Sequence, residues 1–462
     1  MLLVATFMHK TIKHIATAIF LLAGFIAQAQ EDNVPTFYKD IAPIVWNNCT
    51  PCHHKGGSAP FELENYKDVS KRAAFVQFIT EQDIMPPWKA NPHYRSFAGE
   101  KTLTPEEKKT IQKWVAANTP KGKKKNAPQQ PTFTAGTQIK QKPDMVLSMK
   151  NPIPIEGVNE HKFISYAIPY ELEHDTFVKA IEYVPGNRKL LHHCSYQVMG
   201  VDESVSFENM PEYYVFSEDS INGISDDFDF EFYHLLGENG EKPYEVFHNG
   251  WLPGASPLAY PEGIGFYLPK KGVLLIRNLH YSPSPIDEED LSKFHLYFTE
   301  EPIKRVVRFA AFRPTGVDLS RDLVIKAGTR DTFEMNIRIN GNVSVLNVNP
   351  HMHEIGDYFI AYAITPRKDT IPLVEIPKWD FNWQEFYRFK NPLFIPSGSI
   401  IHAEATYDNT ASNLSNPFSP PRDIYFERGS MTETEEMMRL TFLYLPYHRG
   451  DENIDLKTVW TK

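Results

Sequence analysis

From about residue 137 to residue 457, the chain consists of short apolar runs separated by turn-forming residues. Runs rich in Val, Ile, Phe and Tyr alternate with Pro, Gly, Asn and Asp, and the clearest are Phe177–Val184, Gly272–Leu279, Lys293–Phe298, Arg305–Phe312 and Phe359–Ile364. Many short strands with frequent turns are typical of β-sandwiches. Roughly 320 residues of this pattern are more than one sandwich needs. We therefore expect two sandwich domains, divided near Glu300-Glu301-Pro302.

A different pattern precedes residue 120. Val69–Thr80 has the apolar spacing of a helix, and Pro43–Asn48 is a shorter helical stretch. Thr104 has the character of a helix cap, Pro105 follows at the first helical position, and Trp114 lies on the apolar face. This pattern predicts a small all-α domain.

The N-terminus has the features of an export signal. Lys10 and Lys13 give a positive region, Ile15–Ile26 is apolar, and Ala27-Gln28-Ala29 is a suitable cleavage site. The apolar run is too short for a membrane span, although a retained anchor is the alternative. We predict a periplasmic or secreted protein without a membrane span after signal removal. The predicted order is a signal peptide (1–29), an all-α domain (31–120), a linker (121–136) and two all-β domains (137–300 and 301–457).

Charge and cysteine content argue against a nucleic-acid-binding protein and against a fold held together by disulfides. The formal net charge is −10, and no basic stripe favours nucleic-acid binding. Export implies an oxidising compartment, yet the chain has only three Cys. Cys49 and Cys52 stand together before a His, which leaves Cys194 unpaired. Disulfides are therefore not expected to hold this fold together.

Cys49-Thr50-Pro51-Cys52-His53 has the C-x-x-C-H arrangement of a covalent haem c site. Two thiols one helical turn apart reach the two vinyl groups, and His53 becomes the proximal iron ligand. A structural zinc site is the alternative, but zinc needs a second pair of ligands. His54 and His93 are the nearest candidates for that pair.

Met85, in Ile84-Met85-Pro86-Pro87-Trp88, is the predicted second axial ligand of the haem, since a thioether favours reduced iron. His93 is the other candidate ligand, and a core Met before a turn is the alternative reading of Met85. The segment from about 36 to 121 resembles class I cytochrome c domains in its C-x-x-C-H, its Met-Pro-Pro-Trp and its closing helix.

Three sets of histidines stand out in the β-rich part: His192-His193, then His280, then His351 and His353 on either side of Met352. Residues two apart on a strand face the same way, so His351 and His353 can direct two imidazoles at one ion. Each set alone is weak, because a histidine on a strand is more often a hydrogen-bonded surface or core residue.

Taken together, the His-His pair, Leu-His-Tyr, His-x-His and Glu-Met-Met before Tyr-x-Pro resemble the copper type II, ascorbate-dependent monooxygenases. That family includes peptidylglycine α-hydroxylating monooxygenase and dopamine β-monooxygenase, and the resemblance covers about 140–450. It implies two jelly-roll-like sandwiches with one copper ion each. By the resemblance, the electron-transfer copper is bound by His192, His193 and His280, and the oxygen-activating copper by His351, His353 and Met437.

The resemblance implies an oxygen-dependent hydroxylase. Three imidazoles suit a copper that cycles between Cu(I) and Cu(II), whereas two imidazoles and a thioether stabilise Cu(I) and leave a position for O2. Hydroxylation of a substrate C–H bond takes two electrons, one from each copper, and the second oxygen atom leaves as water. We expect electrons to pass from an external one-electron donor, such as an ascorbate-like reductant or a redox protein, to the haem and then to the coppers.

The chain departs from the family at several positions. It cannot form the disulfides of the eukaryotic members. Asn349 stands where the peptide-amidating members have an Arg that helps hold the substrate carboxylate, and Arg439 and Thr441 stand where they have an Asn and a Tyr after the Met ligand. The substrate, a small organic molecule or peptide, is therefore left open. Cys194 is predicted to be a shielded core thiol, with a copper thiolate as the alternative. A non-catalytic haem and copper protein for electron transfer or binding, and a haem protein whose β-domains bind a partner or carbohydrate, are the alternative functions.

Overall fold

A computed structural model describes residues 34–132, 137–208, 210, 213–216, 235–299, 303–312, 324–425 and 435–457. The predicted signal peptide and the predicted boundary at residues 300–302 lie outside these ranges. Within them, no helix has the length and apolar character needed to cross a membrane. The chain forms two compact units, one within Met1–Lys55, Phe61–Pro86 and Thr102–Thr132, the other within Gly56–Pro60, Pro87–Lys101 and Phe133–Lys462.

Helices make up the regular structure described in the first unit. They are a π-helical turn at Phe37–Ile41, α1 (Ala42–Asn48), α2 (Tyr66–Ser70), α3 (Ala73–Glu81), α4 (Pro105–Ala116) and a 3-10 turn at Lys124–Asn126. The predicted start of α4 is confirmed: the Thr104 side chain accepts from the Glu107 N–H, and the Glu107 carboxylate accepts from the Thr104 N–H. The run predicted as one helix over Val69–Thr80 is instead parts of α2 and α3, separated by a turn at Lys71 and Arg72.

The N-terminal sheet pair of the second unit contains thirteen named strands. They are β1 (Met145–Ser148), β2 (Ile153–Ile155), β3 (Lys162–Glu171), β4 (Thr176–Val184), β5 (Leu191–Gly200), β6 (Tyr213–Phe216), β7 (Tyr244–Trp251), β8 (Leu258–Ala259), β9 (Ile264–Leu268), β10 (Lys271–Tyr281), β11 (Glu288–Asp290), β12 (Lys293–Phe298) and β13 (Arg305–Val306). One sheet has the order β1-β12-β4-β9-β13 with β8 beside β4, the other has β6-β3-β10-β5-β7, and β2 pairs with β11.

The C-terminal sheet pair follows the same plan with longer strands. They are β14 (Arg308–Phe312), β15 (Val324–Ile325), β16 (Arg330–Arg338), β17 (Val343–His351), β18 (Gly356–Ile364), β19 (Thr370–Ile376), β20 (Tyr387–Ile395), β21 (Ile400–Asp408), β22 (Ile424–Tyr425) and β23 (Arg439–Pro446). The two main sheets have the orders β14-β23-β17-β20 and β16-β21-β18-β19, and β15 pairs with β22. The expectation of a mostly β protein with few helices is confirmed.

Each sheet pair buries an apolar core between its sheets. Tyr196 of β5 and Phe294 of β12, from opposite sheets, meet edge to face at 4.9 Å in the first core. In the second core, Phe333 of β16 and Tyr407 of β21 have ring centroids 5.9 Å apart. Burial alternates along β16, as expected of a strand with one face towards the core and one towards water.

The segment Pro87–Lys101 belongs to the second unit, although the sequence pattern assigned it to the helical domain. Ala90 and Phe97 are buried in the core of the C-terminal sheet pair, and Phe97 forms an antiparallel bridge with Phe389 of β20. Apolar packing therefore attaches this segment to the β-rich unit, because it has no regular structure of its own to bury these side chains.

Candidate metal centres

The first histidine set, His192, His193 and His280, is assembled by a strand irregularity. His193 of β5 pairs with His280 of β10, and the next pair along is Leu191 with Tyr281, so His192 is an extra residue in β5. Such a bulge locally breaks the rule that neighbouring side chains point to opposite faces. Both imidazoles therefore lie near His280, with ring centroids 5.0 Å (His192) and 4.9 Å (His193) from it.

All three imidazoles of this set share one feature of their hydrogen bonding. Their Nδ1 atoms are buried and have no hydrogen-bond partner. The opposite nitrogen of His192 lies 2.6 Å from the Ser282 Oγ, and that of His280 lies 2.8 Å from the Nδ1 of His161. A buried polar atom without a partner is costly, so three in one place call for an explanation such as an ion.

Burial keeps the first histidine set neutral. Burial, together with a smaller effect of the neighbouring His192, lowers the pKa of His193 to about 3. Burial and the adjacent imidazoles also lower the pKa of His280. Neutral imidazole is the form that binds metal ions, since its unprotonated nitrogen offers a lone pair. Among the described residues, however, no group of three or more His, Cys, Asp or Glu side chains is arranged so that it could hold a metal ion.

The second histidine pair, His351 and His353, lies at the end of β17. The two ring centroids are 5.1 Å apart, so the imidazoles are neighbours, although His353 lies beyond the last residue of the strand. His351 Nδ1 donates to the Gln384 Oε1, and His353 Nδ1 donates to the Glu435 carbonyl, at 2.6 Å for the latter. A neutral imidazole that donates from Nδ1 carries its lone pair on Nε2, which suits both rings to bind one ion.

Glu436 ties the Met437 segment to the second histidine pair. Its buried carboxylate accepts from the backbone N–H of His353 at 2.8 Å, of Ile355 at 2.8 Å and of Met437 at 3.3 Å. Burial raises the pKa of Glu436 to about 8, against the opposing effect of these three donors. Met437 is half-buried, whereas its neighbour Met438 is fully buried in the core. Of the two, Met437 is therefore the residue whose side chain is not enclosed in the core.

A loop that the sequence reasoning missed contacts both sets of histidines. We call residues 377–386, between β19 and β20, the bridging loop. The Phe381 ring centroid lies 6.0 Å from that of His193, 6.3 Å from His280 and 5.8 Å from His353. The same loop supplies Gln384, the partner of His351. A single side chain, that of Phe381, thus lies near histidines of both sets. No local motif in the loop sequence would have indicated this position.

The segment Pro87–Lys101 holds the bridging loop from its other side. Lys89 forms an ion pair with Asp380 at 2.8 Å, and Lys101 forms one with Glu385 at 3.0 Å. The Trp88 ring meets Tyr387, the first residue of β20, edge to face at 5.2 Å. Both ends of the loop are therefore tied to the segment, which limits its freedom beside the histidines.

A buried polar cluster of Gln197, Glu245, His248 and Arg439 lies between the two sheet pairs. His248 Nδ1 lies 2.8 Å from a Glu245 carboxylate oxygen, and an Arg439 nitrogen lies 3.3 Å from His248. Burial lowers the pKa of His248 to about 4, and the Arg439 charge adds to this effect. Although burial opposes it, the hydrogen bond and charge of His248 together with Arg439 lower the pKa of Glu245.

All three positions that differ from the peptide-amidating enzymes already have protein partners. Asn349 donates to the Glu385 carbonyl at 3.0 Å, and Arg439 donates through its Nε to Thr441 at 3.2 Å. Cys194 lies buried in the N-terminal core, as predicted for a shielded thiol. Burial raises the pKa of this thiol beyond its usual range.

In the first unit, the C-x-x-C-H segment continues directly from α1. The N–H groups of Cys52 and His53 donate to the Cys49 carbonyl, at 3.1 and 2.9 Å. His53 Nδ1 donates to the Phe61 carbonyl at 2.8 Å, so its lone pair is on Nε2, as an axial haem ligand requires. Burial lowers the pKa of His53 and raises that of the Cys49 thiol to about 12.

The two candidates for the second axial ligand lie in different units. Met85 follows α3, and its N–H donates to the Ile79 carbonyl at 3.2 Å. Its side chain is 37% exposed, more than a core methionine would be. His93, the other candidate, belongs to Pro87–Lys101 of the second unit, and its N–H donates to the Asn91 side chain at 3.0 Å.

Comparison with known proteins identifies no relative. No protein-family model matches the chain, and no curated protein matches it. Three solved structures show weak likeness. A structure of infectious bursal disease virus Gx strain has 9% identity, covering 71% of this chain and 77% of that chain, with a TM-score of 0.17. An allantoicase has 9% identity, covering 56% of this chain and 83% of that chain, with a TM-score of 0.16. PNGF-II has 8% identity, covering 68% of this chain and 62% of that chain, with a TM-score of 0.19. Likenesses this weak carry no argument about function.

Proposed function

We propose that this protein is an exported monooxygenase that binds two copper ions and takes electrons through a covalently attached haem. The observation that supports this most is the set of three buried Nδ1 atoms without hydrogen-bond partners, on His192, His193 and His280. The opposite nitrogens of His192 and His280 have polar partners, Ser282 and His161, so Nδ1 is the nitrogen of each ring that is left for an ion. These are the residues of an electron-transfer copper site in the family that the sequence resembles.

The oxygen-activating site of this proposal is formed by His351, His353 and Met437. Gln384 and the Glu435 carbonyl fix the tautomers of the two imidazoles, so that both present Nε2 to the ion. Glu436 holds the Met437 backbone against that of His353. When bound, the two copper ions would each supply one electron for the reaction of O2 with a substrate C–H bond, giving a hydroxylated product and water.

The bridging loop has two functions in this proposal. The apolar Phe381 ring keeps water away from the space between His193 and His353, and Gln384 orients His351. Because Lys89 and Lys101 hold the acidic residues of the loop, the loop remains in place when substrate enters. Nothing in the described residues names the substrate class, and the carboxylate-binding arrangement of the peptide-amidating enzymes is not repeated at Asn349.

The proposed haem domain comprises the helical first unit. The spacing of Cys49, Cys52 and His53 fits covalent attachment, and the His53 hydrogen bond to the Phe61 carbonyl fits a proximal ligand. Met85 is the proposed second axial ligand of the haem. The fold proposed for this unit is that of a class I cytochrome c domain. The signal peptide, which lies outside the described residues, would deliver the chain to the compartment where haem c is attached.

Metal analysis of the mature protein, produced with haem maturation and reconstituted with copper, tests the proposal. We expect two coppers and one iron per chain. His351→Ala and His192→Ala should each remove about one copper, since each deletes a ligand of a different site. His174→Ala, which changes an exposed histidine of the N-terminal sheet pair, is the matched control and should keep both.

Iron without copper, or copper binding that His351→Ala and Met437→Ala both leave unchanged, would contradict the proposal and favour an electron carrier or binding protein. Two coppers without any O2-dependent product across a broad substrate screen would favour the non-catalytic alternative. Isotopically labelled O2 followed by mass spectrometry of the product separates oxygen insertion from simple oxidation, because only insertion transfers one labelled atom.

A further inference from the structure

A fourth histidine, His161, lies beside the first histidine set. It precedes β3, and its Nδ1 lies 2.8 Å from the Nε2 of His280. The two ring centroids are 4.9 Å apart, and the His161 ring centroid is 6.4 Å from that of His192. On the other side, the Phe163 ring stacks on His280 at 4.4 Å. His280 is therefore fixed by a ring on one side and a nitrogen acceptor on the other.

The proton positions follow from the role of His280. A neutral imidazole has one N–H and one lone pair, and the nitrogen that binds a metal must be the one without the proton. If Nδ1 of His280 binds copper, its proton is on Nε2, which then donates to the lone pair of His161 Nδ1. The proton of His161 is in turn on its Nε2, on the exposed side of that ring.

We propose that His161 is a positioning residue for the first copper site, acting through His280; this inference rests on the proposed function. The hydrogen bond selects the tautomer in which the Nδ1 lone pair faces the ion and prevents the ring from turning. It also draws the Nε2 proton away, which makes Nδ1 a stronger donor and stabilises Cu(II). Partners of this kind typically change metal affinity by about 10- to 100-fold.

His192 offers an internal comparison. Its Nε2 lies 2.6 Å from the Ser282 hydroxyl, which can donate or accept, so that contact alone does not fix the tautomer of the ring. The Nδ1 of His161 also could do either, but only acceptance is compatible with copper at the His280 Nδ1. Copper at the His192 Nδ1 would likewise require Ser282 to accept, so both contacts would act in the same sense. Because His161 is exposed, its removal should affect copper more than folding.

The test is copper-buffered equilibrium dialysis of the full haem-containing protein, combined with the Cu(II) electron paramagnetic resonance spectrum. All variants carry His353→Ala, so that only the first site is counted. We expect His161→Ala to weaken copper binding by about 10- to 100-fold. His161→Asn, whose side-chain oxygen occupies the Nδ1 position, should restore affinity and spectrum, whereas the longer His161→Gln should not. His174→Ala is the control for loss of an exposed histidine.

Each outcome separates the inference from the proposed function. If the His353→Ala protein binds no copper, the proposed function fails and the inference fails with it. If it binds copper and His161→Ala binds equally well, only the inference is overturned. If Asn does not rescue and the spectrum loses the coupling of one nitrogen, His161 is a ligand rather than a positioning residue. Should the Ala variant not fold, the contrast between Asn and Gln decides.

Discussion

Replacing His248 with Asn isolates the contribution of this one histidine to the pH dependence of the unfolding free energy. His248 is 4% exposed, and its Nδ1 lies 2.8 Å from Glu245. Burial and the Arg439 charge lower its pKa from 6.5 to about 4. An Asn amide can donate to Glu245 from nearly the same position, but it does not titrate. The variant therefore removes the proton uptake while keeping the hydrogen bond.

The sign of the effect follows from the depressed pKa. The unfolded chain takes up a proton at His248 below pH 6.5, whereas the folded chain does so only near pH 4. The neutral imidazole thus contributes stability that is full above about pH 6.5 and is lost as the pH falls towards 4. At about pH 5, which is about 1.5 units below the unfolded-state pKa, the unfolding free energy is lowered by about 1.36 kcal/mol for each unit, or about 2 kcal/mol in all.

Urea denaturation of the full mature protein, followed by tryptophan fluorescence, measures this loss at about pH 7.5 and about pH 5. We expect the unfolding free energy of the wild type to fall by about 2 kcal/mol more than that of His248→Asn. Any packing loss from the smaller side chain is equal at both pH values and cancels in this difference. Equal losses in the two proteins would refute the reasoning, and His174→Asn controls for replacing a histidine.

Two further substitutions test single buried acceptors. Glu436→Ala leaves the N–H groups of His353 and Ile355 without their carboxylate, so thermal denaturation should show a loss of about 2–5 kcal/mol; an unchanged melting temperature would contradict this. Asp451→Asn weakens a buried pair in which both carboxylate oxygens accept from Arg305, at 2.6 and 2.8 Å, and should cost about 3 kcal/mol by urea denaturation. Asp423→Asn, at an exposed ion pair, should cost less than about 1 kcal/mol, and equal costs at both positions would be evidence against the burial argument.

Local periodicity and capping rules were sufficient for several features. The start of α4 at Pro105 follows from Thr104 and the residues after it, because a capping box needs only four consecutive positions. The strand repeat predicted that His351 and His353 lie close together, and their ring centroids are 5.1 Å apart, although β17 ends at His351 and the repeat does not extend to His353. The same alternation correctly predicted that Cys194 faces the core.

Alternation alone would have separated His192 from His193. The bulge that brings both to His280 arises from the pairing of β5 with β10, whose residues are far apart in sequence. A register shift of this kind depends on how two strands pack, and neither strand carries a signal for it by itself. The resemblance to a family supplied the three ligands, whereas the backbone reason for their convergence came from the fold.

The sequence by itself determined the β-rich character, the start of α4 and the residue types able to bind haem and copper. These properties depend on side chains within a few positions of one another. Tertiary structure alone decided that Phe381 touches both histidine sets, and that His161 lies against His280, 119 positions away. It also decided that Asn91 bonds to Glu375, 284 positions away. Contacts at such separations result from the packing of whole sheets, so no local pattern in the chain records them.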